Sequence, residues 1–122
     1  TTAALLFALC LIDTGTIAAR WNLAHAREID GTGAQLDWCY LGELGSSALV
    51  PLAELELRQP GSALGQAAAS LRWRIQQQIR FDRDRGGWTL LDNRRLARVE
   101  ALLGPRANQP VPYQELCDRY VD

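Results

Sequence analysis

His25 is the only histidine of the chain, and Glu28 follows three residues later on the same side of a helix. Such a pair can begin a metal site or an acid–base pair, but further ligands would have to come from distant carboxylates or cysteines. A lone helical histidine with one acidic neighbour therefore reads as structural. Cys39 stands between Trp38 and Tyr40, beside Asp37. That acidic, aromatic setting disfavours a thiolate nucleophile, which needs a base and positive charge nearby. Ser46 and Ser47 lie in a turn without the GxSxG elbow, and GELGSS at 42–47 lacks both the preceding strand and the Gly-Lys ending of a phosphate loop. No catalytic residue, metal ligand set or cofactor site is expected.

Two groups of side chains remain as candidates. Asp13, Asn22, Asp37 and Tyr40 either cap helices and lock one against another, or form a small polar site where the first two helices meet. Arg72, Arg74, Arg80, Arg94 and Arg95 belong to a segment, 72–98, with eight Arg against three Asp, giving +5. With Trp73, Phe81 and Trp88 interleaved, it has the composition of an anion-binding face for nucleic acid or lipid headgroups. Asp82 and Asp84 interrupt it and Gln76 to Gln78 dilute it, so a solvated helix face with internal Arg–Asp pairs is the plainer reading. Nucleic acid is not the expected partner. All thirteen basic residues are Arg, a pattern that codon bias explains as well as function does.

These residues must be positioned by a chain of 122, enough for one domain with one core. Its 48% apolar and 22% charged content excludes wholesale disorder, and a net charge of −1 makes no global case for polyanions. Residues 1–59 hold three Arg against seven acids, giving −4, so the two halves are electrostatically complementary. Cys10, Cys39 and Cys117 are odd in number and without CxxC spacing. They read as small hydrophobes in a reducing compartment.

Residues 1–12 are apolar but too few for a bilayer crossing, which needs about 20. They are expected to be the end of a membrane helix or a buried first helix. A helix capped by Asp13 or Thr14 follows, broken at Asp30 to Gly33. The next runs from about 35 to 44, with Leu36, Tyr40, Leu41 and Leu44 inward. Ser46 or Ser47 caps another through about Leu57, with Pro51 near its first turn. Ser62 caps a long helix whose stripe is Leu64, Ala68, Leu71, Ile75 and Ile79, and Gly86 with Gly87 ends it. A helix to about Leu103 turns Trp88, Leu91, Leu96, Val99 and Leu102 to one side, and Gly104 with Pro105 stops it. An extended linker leads to a last helix near 113–120. No window alternates at period two. The fold class expected is all-α: a single compact bundle of about six helices in antiparallel hairpins, tetratricopeptide-like at 35–57.

Along this order run DxxxIAxxN (Asp13, Ile17, Ala18, Asn22), LDxxYLxxL (Leu36, Asp37, Tyr40, Leu41, Leu44), and a small-residue turn into Ala48, Pro51 and Leu55. The arrangement resembles the C-terminal part of the bacterial polytopic membrane proteins grouped as domain of unknown function 4173 and its close relatives. GWTLLDNRRLAR is similar to that family's W-x-x-x-N-x-x-R-like segment, with Trp88 and Arg94 or Arg95 in matching places. The resemblance implies membrane attachment through upstream spans, and no known reaction, cofactor or substrate. The function expected is that of a non-enzymatic helical domain of a bacterial inner-membrane protein, serving protein interaction, assembly or regulation. Its partner would be another protein or the membrane-embedded rest of its own chain. Arg20 and Arg27, after the apolar segment, favour the cytoplasmic side.

Overall fold

The computed structural model describes residues 1–87 and 89–117, without the side chain of Asp30. They form α-helices joined by short turns, and no strand occurs among them. Thr1 caps α1 (Thr2–Leu11), and an extended Ile12 ends it. Asp13 caps α2 (Thr14–His25), whose axis is bent 54° from that of α1. The single turn α3 (Arg27–Asp30) stops at Gly31, where a φ of 77° favours glycine. Asp37 caps α4 (Trp38–Leu44), which starts later than periodicity suggests because Asp37 itself is extended and accepts from the Tyr40 amide. A 3₁₀ turn (Gly45–Ala48) leads into α5 (Leu49–Arg58), so Ser46 and Ser47 belong to the turn and do not cap the helix. Pro51 falls in the first turn of α5, as expected.

Ser62 caps α6 (Ala63–Asp84), and Thr89 caps α7 (Leu90–Leu103). A second 3₁₀ turn spans Gly104–Asn108. Helix α5 is the hub: Leu49, Val50, Pro51, Leu52 and Ala53 are all buried, since it packs against both α6 and α7 while α2 covers a further side. The α6 stripe of Ala68, Leu71, Ile75 and Ile79 meets it as the spacing requires.

Three further expectations are corrected. In α7 the inward set is Arg95, Leu96, Val99 and Leu103, whereas Leu91 is exposed and Leu102 only half-buried. The helix is rotated so that Arg95 meets α2; Trp88 lies outside the described residues. Residues 113–117 are not helical. They are tied to the body at Cys117 and through the Gln114 amide, which donates to Ser70 Oγ at 3.1 Å, while 118–120 lie outside the described residues. Finally, α1 is not a buried first helix, because none of its residues is buried.

Candidate functional site

The first polar constellation lies at the entry to α2. Asp13 accepts from the Thr16 amide at 3.1 Å and from the Thr16 hydroxyl at 2.6 Å. Arg95, from the far end of the chain, donates through one terminal nitrogen to both Asp13 oxygens at 2.8 and 2.7 Å. Its other terminal nitrogen donates to Ser46 Oγ at 2.7 Å. A Cβ at Gly15 would overlap the Ser47 side chain, so glycine there lets α2 approach the turn. Burial pushes the Asp13 carboxyl up, but the Arg95 and Thr16 hydrogen bonds and the Arg95 charge outweigh it and hold the group below its ordinary value. This is a structural clamp joining α2, the 3₁₀ turn and α7.

The other three polar candidates do not join it. Asn22 donates to the Ala18 carbonyl of its own helix at 2.9 Å. Asp37 is the cap of α4, and Tyr40, half-buried, supplies the amide it accepts. His25 stacks on Trp21 with ring centroids 4.3 Å apart and donates to the Trp21 carbonyl, while Glu28 accepts from the Leu36 amide at 3.0 Å. That pair is spent on local structure.

The second constellation corrects the proposed anion-binding face. Arg72 has 0% exposure. Its Nε donates to Glu56 Oε2 at 2.7 Å, and a terminal nitrogen donates to Gln76 Oε1. Gln76 Nε2 in turn donates to the Ala107 carbonyl at 3.1 Å. This buried network joins α5, α6 and the second 3₁₀ turn. Arg95 is also buried, Arg74 lies over the Tyr113 ring at 5.3 Å, and Arg80 donates to Asn108 Oδ1 at 2.6 Å. Among the described residues, Arg94 is the one of the five that is exposed and has no such contact, so the set does not form one solvent-facing surface. The usable signal was Arg72 and Gln76 four apart on the edge of an apolar stripe, with Glu56 in the preceding buried helix.

The cysteines also differ from the expectation of three small hydrophobes: Cys39 and Cys117 form a disulfide with Cα atoms 5.1 Å apart, and Cys10 is free and exposed. The bond pins the 113–117 segment beside a groove of about 900 Å³ formed with α4, α6 and the start of α7. Trp38, Leu71 and Ile75 supply apolar lining, and Tyr113 and Leu116 come from the pinned segment. Fold and groove together define an all-helical domain clamped by two ion-pair networks and one disulfide. No protein-family model, curated protein or solved structure matched the chain.

Proposed function

We propose that the chain is a membrane-attached, non-catalytic helical domain of a bacterial protein, held at the bilayer by α1 and serving protein interaction or assembly. The observation that carries this reading is α1 itself. Leu5, Leu6, Phe7, Leu9 and Leu11 point to every side of the helix, each is more than half exposed, and no α1 residue is buried. A helix apolar all round is stable against hydrocarbon or a protein core, and each Leu so buried contributes about 1.5–3 kcal/mol. Among the described residues no single helix is long and apolar enough to cross a membrane, but α1 and α2 together have the length and composition of a bent span. The ten residues of α1 rise about 15 Å, half the hydrocarbon thickness. Ile17 and Trp21, exposed on α2, continue the apolar surface toward the interface, where Trp is favoured.

The proposal does not depend on the resemblance of the 13–55 motifs to the polytopic membrane family, which no family model matched. The finer arrangement we assign is a single bundle around α5, on which α2, α6 and α7 pack, while α4 rests on α2 and on the 3₁₀ turn and makes no tetratricopeptide-type hairpin with α5. The helical body is assigned to the oxidising side of the inner membrane, because the Cys39–Cys117 bond persists there and is reduced in the cytosol. This departs from the cytoplasmic side expected from Arg20 and Arg27. In intact cells, Cys39 and Cys117 should resist alkylation until a reductant is added; free thiols at both would return the domain to the cytoplasm.

Flotation with phosphatidylcholine vesicles tests attachment. The protein should rise with the lipid, and Leu6→Glu with Leu9→Glu should leave it in the bottom fraction with unchanged helical circular dichroism. Wild-type protein that stays at the bottom overturns the reading.

A further inference from the structure

The groove has an apolar floor and an acidic rim. Leu71, Ile75 and Ile79 of α6 are buried beneath it, and Trp38 and Leu116 pack against the core at its sides. Among the described residues, four acids line it, Glu43, Asp82, Asp92 and Glu115, with one cation, Arg74. Asp92 lies 3.6 Å from Arg95, which offsets part of its charge. Asp82 accepts a hydrogen bond from the uncharged Gln78 amide at 2.9 Å, and Glu115 is exposed on the pinned segment. The groove is therefore opposite in sign to the 72–98 segment that supplies its floor. Its volume is within the range of ligand-binding clefts. Arg74 over Tyr113 already displays, inside the groove, the cation–aromatic contact that an incoming guanidinium or ammonium group can make. The outer wall is held in place by the disulfide and by Gln114 on Ser70, so little of it has to be ordered on binding.

We propose that this groove docks a basic, apolar-bearing segment of a partner polypeptide, its aliphatic groups on Trp38, Ile75 and Leu116 and its cationic groups against Asp82 and Glu115. The inference rests on the interaction reading above and names the partner's chemistry. The acidic rim repels an anionic ligand, and an uncharged apolar segment would make no use of the exposed carboxylates of Asp82 and Glu115.

Fluorescence anisotropy of a labelled short peptide of Lys, Leu and Gly, titrated with the whole oxidised protein, tests it against the same peptide with Glu in place of Lys. The Lys peptide should bind saturably and less tightly at high salt, and the Glu peptide should not bind. Asp82→Asn with Glu115→Gln, both at exposed positions, should weaken the Lys peptide about fivefold, the sum of two modest ion pairs. Glu100→Gln, an exposed acid on α7 outside the groove, should leave binding unchanged. Equal binding of the two peptides, or wild-type affinity in the double variant, overturns the proposal. Flotation reads α1 and not the groove, so loss of peptide binding with flotation intact refutes the groove alone, and the converse refutes membrane attachment alone.

Discussion

At Asp13 and Glu56, the carboxylates do structural work through arginines far along the chain. The Asp13 carboxyl is held below its ordinary value of 3.8, so protonation favours the unfolded chain. The stability it contributes is present above about pH 4 and is lost as pH falls through the lower folded value. Asp13→Asn should cost about 1–2 kcal/mol near neutral pH, below the figure for a fully buried pair because the Asp13 side chain is 33% exposed. It should also flatten the acid loss, as urea unfolding near neutral pH and at about pH 3 would show. A wild-type pH dependence in this variant would contradict the clamp. Glu56→Gln leaves the Arg72 charge buried with only an amide partner, and should cost about 3–5 kcal/mol in the same measurement. The Asp13 cap was legible because a short acid before a helix has a local reason to be there. Its partner Arg95 was not, because 82 residues separate them and α7 has several apolar positions that allow more than one rotation.

At the scale of elements, the long helix α6 and its Ser62 cap were readable from period and punctuation alone, which are local properties. The 113–117 segment was not: its sequence tolerates a helix, and the bond from Cys117 to Cys39, a tertiary constraint, holds it otherwise. Three cysteines allow several pairings or none, so spacing could not identify the bonded pair. The closed loop spans 78 residues, and its chain entropy places the stabilisation at about 4 kcal/mol. Cys39→Ala with Cys117→Ala should lower the unfolding free energy by about 2–4 kcal/mol in urea. An unchanged midpoint would mean that the segment contributes nothing to the folded body. The Leu6→Glu with Leu9→Glu variant should unfold at the wild-type midpoint in buffer, since α1 buries none of its residues against the rest of the chain. A large shift would show that α1 packs on the body after all.

Across the whole molecule, the unequal halves of the sequence find a physical meaning. The acidic 1–59 segment and the basic 72–98 segment meet through Asp13–Arg95 and Glu56–Arg72, so part of their complementary charge is internal wiring between α2, α5, α6 and α7. The all-helical class and the order of most helices followed from periodicity, caps and glycines. The groove did not, because its walls come from four separate parts of the chain and its acids are scattered among them. Lipid is proposed to surround α1, and Cys10, the free and exposed cysteine on that helix, offers a direct probe. A nitroxide attached to Cys10 can be followed by spin-label power saturation in the presence of vesicles. It should become more accessible to oxygen and inaccessible to a polar nickel chelate when lipid is added. Unchanged accessibility to the nickel chelate with and without vesicles would contradict the attachment of α1 to lipid.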